Sequence, residues 1–172
     1  MCEPSAQALG KRIKTNGAPL GAALEAHMSH AYARNHLHVV FATKGRRNLI
    51  TDPDRLWPYM RGIARNYRID FEAIGGTANH VHILLALPPK LSLSHAMRAI
   101  KANSSKWTNE SGQHFAWQEG YAAFSVSASN VEAVRHYIEH QAEHHARHSF
   151  EDEFVSLLRK SGVAYDPQFV FG

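Results

Sequence analysis

Two histidines one residue apart, His80 and His82, stand in an apolar segment of β-strand type, ANHVHILLAL. Alternate residues of a strand project to the same face, so the two imidazoles are predicted to lie roughly 6–7 Å apart along it. That separation suits the binding of one metal ion, and imidazole also exchanges protons near neutral pH. The pair therefore indicates metal binding or acid–base chemistry, with an ordinary polar strand face as the alternative.

A second group of polar side chains falls at helical spacing further along the chain. Tyr137 and Gln141 are four residues apart, which places them on one helix face, and His145 continues the row as a candidate to line the site. A phenol has a pKa of about 10 and is a weak nucleophile unless its target is made more electrophilic. A metal ion held by the strand histidines and the Gln141 carbonyl would polarise a phosphate in that way. The alternative for Tyr137 alone is a half-buried aromatic residue of the core.

The elements that must position these side chains are predicted from hydrophobic patterning and turn residues. Strands are predicted over residues 35–43, 70–77, 79–87 and 121–127. Helices are predicted from Asp52-Pro53, from Ser92 or Ser94 to about Trp107, from Asn130 to about His148, and over residues 150–160. This order predicts an α+β fold, a ferredoxin-like split βαβ antiparallel sheet with helices on one face and an added C-terminal helix that carries Tyr137.

In this fold the first strand lies beside the strand that carries His80. His36 and His38 form a second alternating pair on that first strand. His38 is therefore a candidate to line the same site, and a partly exposed strand histidine is the alternative.

Length and composition set limits on the class of protein. A chain of 172 residues with 44% hydrophobic residues is long enough for one domain with a core. Its single cysteine, Cys2, excludes an internal disulfide and favours a reducing compartment. No run approaches the ~20 apolar residues of a membrane-spanning helix. Residues 1–27 are rich in Ala, Gly and Pro, and we predict a flexible N-terminal leader there, followed by one working domain over residues 28–172.

Charge is unevenly distributed along the chain, whose formal net charge is +4. Residues 28–110 hold twelve Lys and Arg against five Asp and Glu, whereas residues 111–172 hold four against eight. The basic block predicts an anionic partner, with nucleic acid as the leading candidate and an ordinary solvated surface as the alternative. The candidates for phosphate contact are Lys44, Arg46, Arg47, Arg98, Lys101 and Lys106.

Three enzyme patterns built on alternating histidines can be compared with His80 and His82. Histidine-triad hydrolases need a third histidine where this chain has Leu84. Two-histidine phosphoesterases need Ser or Thr two residues after each histidine, and those positions are His82 and Leu84. The remaining pattern is the His-hydrophobic-His signature of single-strand DNA nucleases.

With the tyrosine helix added, the sequence resembles the single-tyrosine HUH transposases, the insertion-sequence and REP-associated tyrosine transposases of bacteria. The resemblance covers about residues 29–172 and is carried by HVVFATKGRR (38–47), ANHVHILLALPP (78–89), WQEGYAAFSVS (117–127) and YIEHQAEHH (137–145). The closing segment, FEDEFVSLLRKSGVAYDPQFVFG (150–172), resembles the REP-associated subgroup in particular. The combination of the histidine pair with Tyr-x-x-x-Gln is the specific part of the match.

The resemblance implies roles for particular residues. His80, His82 and Gln141 would hold a magnesium or manganese ion. Tyr137 would attack a phosphate of single-stranded DNA, leaving a 5′-phosphotyrosine and a free 3′-hydroxyl that can later rejoin DNA.

The resemblance also implies partners and a place of action. These are single-stranded DNA with hairpin (imperfect palindrome) ends, a second copy of the chain in a homodimer, no membrane, and the bacterial cytoplasm. Two alternatives remain open at this point. One is a non-catalytic nucleic-acid-binding module on a ferredoxin-like sheet, and the other is a replication-initiation or relaxase-type nicking nuclease.

Overall fold

The computed structural model describes residues 33–145 and 149–167. Its strands are β1 (Asn35–Ala42), β2 (Asp70–Gly76), β3 (His80–Leu87) and β4 (Ala122–Val126). Its helices are α1 (Pro53–Asn66), α2 (Leu93–Glu110), α3 (Val131–Glu139), α4 (Gln141–His145) and α5 (Phe150–Lys160), with short 3₁₀ turns at Lys44–Arg46 and Ala128–Asn130. None of these described helices is long and apolar enough to cross a membrane. The predicted leader, residues 1–27, lies outside the described residues.

The four strands form one antiparallel sheet in the order β2-β3-β1-β4. β1 pairs with β3 so that Val40 lies opposite His82 and Ala42 lies opposite His80. Residues directly opposite each other on antiparallel strands share a face, and His38 shares it too because it is two residues from Val40. The predicted α+β fold with a split βαβ sheet is confirmed, and so is the predicted adjacency of β1 and β3.

Different helices cover the two faces of the sheet. Val81 and Ile83 of β3 point away from the histidines and pack with residues of α1 and α2 in the main hydrophobic core. On the histidine face, α3 packs through Ile138 and α5 packs through Phe150 and Leu158. The helices that follow β4 therefore enclose the face that carries the polar side chains.

Local sequence signals set the starts of three helices. Asp52, Ser92 and Ser149 each accept a hydrogen bond from the backbone N–H three residues further on, as N-cap residues do. Of the two predicted caps for the second helix, Ser92 is the one used. That helix ends at Glu110, about one turn beyond the predicted end.

The predicted single helix over residues 130–148 is wrong in one respect, because the structure interrupts it at His140. His140 has φ −105° and ψ 24°, which are not helical values. Its Nδ1 donates to the carbonyl of His136 at 2.7 Å, a local side-chain bond of the kind that competes with regular helix geometry. The helix resumes at Gln141, and residues 146–148 lie outside the described part of the chain.

Gly75 on β2 allows α3 to approach the sheet closely. A Cβ built on Gly75 would lie 2.2 Å from the carbonyl oxygen of Ile138, the residue after Tyr137. We expect Gly75→Ala to lower the free energy of unfolding by about 1–3 kcal/mol, because the neighbouring atom is backbone and α3 must shift. Denaturant unfolding followed by circular dichroism measures this change.

Gly62→Ala is the matched control for this substitution. Gly62 is exposed on α1, and no described atom lies within 4 Å of a Cβ built there. Alanine is therefore expected to raise the free energy of unfolding by roughly 0.5–1 kcal/mol through its higher helix propensity. Equal effects of the two substitutions would contradict the close approach of α3 to β2.

Candidate active site

Three imidazoles and one carboxylate converge on the histidine face of the sheet. The ligand atoms of His80, His82, His145 and Glu153 all lie within 4.8 Å of one another. Glu153 Oε2 lies 3.0 Å from His145 Nε2, 3.4 Å from His82 Nε2 and 3.9 Å from His80 Nε2. Glu153 is 5% exposed, so the centre of the cluster is shielded from bulk water.

Neighbouring side chains hold the outer ring nitrogens of the two strand histidines. His80 Nδ1 lies 2.7 Å from the acceptor Asn79 Oδ1, so we place the ring proton on that nitrogen. His82 Nδ1 lies 2.9 Å from His38 Nε2. Burial, and next the charge of His82, lowers the pKa of both His80 and His38 to about 3, so both rings are neutral at pH 7. His80 therefore presents an unprotonated Nε2 to the cluster, as metal-ligating histidines do.

Glu153 reaches the cluster from α5 because that helix is amphipathic. Phe150 and Leu158 are buried against the sheet, and Glu153 follows Phe150 by three residues on the same side of the helix. The Phe150 and His80 rings are in contact, with a centroid distance of 4.4 Å. Sequence reasoning missed Glu153, although an acidic residue within the apolar stripe of a helix was the available signal.

The Tyr137 hydroxyl donates a hydrogen bond to Glu153 Oε1. The Tyr137 ring also contacts the rings of His38 and His82, at centroid distances of 6.0 and 5.9 Å. Burial, with the hydrogen bond to Glu153 and its charge, raises the pKa of Tyr137 above its ordinary value. Burial opposes ionisation of Glu153, but its contacts with His82 and Tyr137 outweigh burial and hold its pKa well below the usual range. At neutral pH the pair is a phenol and a carboxylate.

Gln141 is 1% exposed, and its two amide atoms have different surroundings. Its Nε2 donates to Glu153 Oε1 at 3.2 Å. Its Oε1 and the Nε2 of His82 are buried atoms that have no hydrogen-bond partner among the described residues. An unsatisfied buried acceptor costs about 1–3 kcal/mol, and a cation bound at these atoms would remove that cost.

Every residue predicted to line the site lies at this cluster. The set is His38, His80, His82, Tyr137, Gln141 and His145. His38 joins it through its hydrogen bond with His82, whereas His145 offers its own Nε2 to the centre.

The basic residues predicted to contact phosphates differ in their surroundings. Four are exposed, namely Lys44, Arg47, Arg98 and Lys106. Arg46 forms an ion pair with Glu151 of α5 at 3.0 Å. Lys101 is half-buried, and its ammonium donates to the backbone carbonyls of residues 118, 119 and 120 at 2.5 to 2.9 Å. Because an ammonium has three N–H groups, those bonds occupy all of them, and none is left to donate to a phosphate.

Comparison with known protein families identifies the family of this chain. Residues 31–141, well over half of the sequence, match the family model for IS200-like transposases. The chain belongs to the IS200-like transposase family. The resemblance inferred from the histidine pair and the tyrosine helix is thereby confirmed. The match ends at Gln141. Two residues of the cluster, His145 and Glu153, therefore lie in the segment beyond the matched region.

Two relatives are transposases for insertion sequence element IS200, from Salmonella typhimurium and Salmonella typhi. Each is 28% identical to this transposase over 128 residues, which is 68% of this chain and 83% of the relative. The family implies an enzyme that cuts DNA and transfers strands.

Two solved structures share the fold. A Deinococcus radiodurans R1 protein assigned as a transposase is 24% identical, with a TM-score of 0.54, over 65% of this chain and 94% of that chain. A REP-associated tyrosine transposase bound to a REP hairpin is 18% identical, with a TM-score of 0.51, over 70% of this chain and 72% of that chain.

The family resemblance implies a divalent metal ion, and the side chains of the cluster fit one. They offer imidazole nitrogens, carboxylate oxygens and an amide oxygen, all of which bind divalent cations. Gln141 Oε1 and His82 Nε2 can donate an electron pair, so a cation would satisfy both of these buried atoms. The site can therefore bind a divalent metal beside a tyrosine hydroxyl.

Proposed function

We propose that this transposase cleaves and rejoins single-stranded DNA in a metal-dependent reaction, through a covalent 5′-phosphotyrosine link to Tyr137. The observation that carries the proposal is the position of the Tyr137 hydroxyl. It is hydrogen-bonded to Glu153, the carboxylate that also faces His80 and His82. A phenol alone is a weak nucleophile at neutral pH, and here it lies beside a candidate Lewis-acid site.

His80, His82 and Gln141 would hold the ion, magnesium or manganese. Each of the three is at most 1% exposed, and each offers one nitrogen or oxygen atom. When bound, the ion polarises the scissile phosphate and stabilises the negative charge that develops on it. Asn79 orients the His80 ring and His38 orients the His82 ring, which is the support that metal-ligating imidazoles need.

The proposed cleavage exchanges one phosphate ester for another. Tyr137 Oη forms a bond to phosphorus while the bond from phosphorus to the 3′ oxygen of the preceding nucleotide breaks. The phenolic proton leaves along its hydrogen bond to Glu153 Oε1, and the departing oxygen takes up a proton to become a 3′-hydroxyl. A 3′-hydroxyl of the same or another strand then attacks the phosphotyrosine and restores the phenol. Because the number of ester bonds does not change, strand transfer requires no ATP.

The proposed substrate is single-stranded DNA with a hairpin at its end. The four exposed residues among the predicted phosphate contacts, Lys44, Arg47, Arg98 and Lys106, would contact phosphates without regard to sequence. The structurally similar REP-associated transposase is bound to a REP hairpin, which supports the same class of substrate here. We propose further that the enzyme acts as a homodimer in the bacterial cytoplasm.

Formation of a covalent protein–DNA adduct tests the proposed function. A labelled single strand that contains a hairpin is incubated with the transposase and Mn²⁺ and then resolved on a denaturing gel. We expect an adduct band when Mn²⁺ is present during the incubation and none when EDTA is present instead. The band should also be absent when the DNA around the cleavage position is fully paired. The proposal would be contradicted if the protein bound hairpins tightly but formed no adduct with any of several hairpin sequences and divalent metals.

The same experiment separates the alternatives. A non-catalytic nucleic-acid-binding module would bind the hairpin and form no adduct with any metal. Such a module on a ferredoxin-like sheet needs an accessible sheet face, whereas α3 and α5 cover one face here and α1 and α2 cover the other. A replication-initiation or relaxase-type nuclease would also form an adduct, and the match to the IS200-like family weighs against it.

A further inference from the structure

We infer that Glu153 is a further metal ligand and also the residue that positions Tyr137 beside the metal. The inference deepens the proposed function and rests on it, since it takes Tyr137 as the nucleophile and the strand histidines as ligands. It adds a carboxylate from α5, which lies beyond the residues 31–141 that match the family model.

The two carboxylate oxygens of Glu153 face different partners. Oε2 lies among the imidazoles, 3.0 Å from His145 Nε2 and 3.4 Å from His82 Nε2. Oε1 accepts hydrogen bonds from the Tyr137 hydroxyl and from Gln141 Nε2. A carboxylate can bind a cation through one oxygen while the other accepts hydrogen bonds. One side chain thereby connects the nucleophile to the metal centre.

The chemistry of the cluster also favours a carboxylate ligand. Glu153 is almost fully buried, and an ionised carboxylate removed from water is stable only with compensating charge or hydrogen bonds. A divalent cation held by this cluster would supply that charge. A carboxylate would also add an oxygen ligand to a set that is rich in imidazole, and magnesium and manganese prefer oxygen ligands.

The packing of α5 holds Glu153 in place. Ser149 caps the first turn of the helix. One residue on, Phe150 packs against the His80 ring, and Leu158 near the other end is buried against the sheet. Glu153 lies between these two anchors, so the backbone that carries it is fixed against the sheet. A rigid support of this kind suits a residue that positions a reacting group.

The test compares Glu153→Gln with Glu151→Gln in the full-length transposase. Glu153→Gln keeps the shape of the side chain and removes its charge. Glu151 lies on the same helix, but its side chain is 46% exposed and faces Arg46. Mn²⁺ binding is titrated by electron paramagnetic resonance, and the rate of adduct formation is measured at limiting and at saturating Mn²⁺.

We expect Glu153→Gln to weaken Mn²⁺ binding by roughly 10- to 100-fold or more, since the loss of even a supporting residue has that effect. At saturating Mn²⁺ the adduct rate should stay about 10-fold low or lower, because a neutral amide oxygen accepts a weaker hydrogen bond from Tyr137 than the carboxylate does and holds the hydroxyl less firmly. Glu151→Gln should bind Mn²⁺ as the wild type does. The residual rate defect at saturating Mn²⁺ distinguishes the positioning role from a purely ligating or structural one.

The outcomes separate the inference from the proposed function. Wild-type Mn²⁺ affinity in a folded Glu153→Gln protein overturns the ligand role, and full recovery of the rate at saturating Mn²⁺ overturns the positioning role. If Glu153→Gln does not fold, Glu153→Asp replaces it, because it keeps the charge and withdraws the oxygens by one methylene. A Glu153→Asp protein with wild-type affinity and rate overturns the inference. If the wild type itself binds no Mn²⁺ or forms no adduct, the proposed function fails instead.

Discussion

Replacing Tyr137 with phenylalanine is expected to abolish the protein–DNA adduct and to leave hairpin binding intact. The substitution removes only the hydroxyl that would attack phosphorus, and loss of a covalent nucleophile lowers the rate by roughly 10³-fold or more. The ring can keep its contacts with His38 and His82, and Glu153 keeps its hydrogen bond from Gln141. Denaturing gels measure the adduct, and a mobility-shift assay measures binding.

Tyr59→Phe is the matched control for that experiment. Tyr59 is a half-buried tyrosine on α1 that stacks on Trp107 at a centroid distance of 4.5 Å. Since α1 packs on the sheet face away from the histidines, its hydroxyl takes no part in the proposed reaction and the adduct should form at the wild-type rate. A normal adduct yield with Tyr137→Phe would show that another residue is the nucleophile.

Backbone geometry explains why much of the site could be predicted from the sequence. Strand alternation is enough to place His80 and His82 on one face. The order of the elements is enough to place His38 beside them, because the split βαβ topology makes β1 and β3 neighbours. Neither prediction depends on how side chains pack.

Glu153 could not be placed in that way, because its contacts depend on the path of the chain after α3. Its partner Tyr137 is 16 residues earlier, across the interruption at His140. Helical spacing relates residues within one continuous helix, so it predicts nothing across that interruption. The position of Glu153 in the apolar stripe of α5 predicts burial, but only tertiary packing shows which groups its carboxylate meets.

Lys101 illustrates a second limit of sequence reasoning. A lysine in a basic segment predicts a phosphate contact only if its ammonium reaches the surface. Here the backbone carbonyls of residues 118–120, on the segment that leads into β4, surround that ammonium instead. Charge counted along a chain cannot distinguish a cation that binds a ligand from one that stabilises a loop.

Substitution of His82 with glutamine is expected to abolish both Mn²⁺ binding and adduct formation. His82 is fully buried, its Nε2 lies 3.4 Å from Glu153 Oε2, and its Nδ1 is held by His38. Glutamine keeps a polar side chain of similar length but loses the imidazole nitrogens. Because even supporting residues change metal affinity by about 10- to 100-fold, the loss of a direct ligand should exceed about 100-fold. Titration by electron paramagnetic resonance and adduct gels at matched Mn²⁺ measure both effects.

The control for that substitution is His95→Gln. His95 is exposed on α2, so its replacement should leave Mn²⁺ affinity unchanged. Unfolding midpoints measured in EDTA establish that His82→Gln is folded, and the rise in midpoint that Mn²⁺ causes in the wild type should be absent from it. Tyr137→Phe should keep Mn²⁺ affinity and lose the adduct, whereas His82→Gln should lose both. That difference separates the nucleophile from the metal centre. A folded His82→Gln protein that binds Mn²⁺ as tightly as the wild type would remove His82 from the proposed metal site.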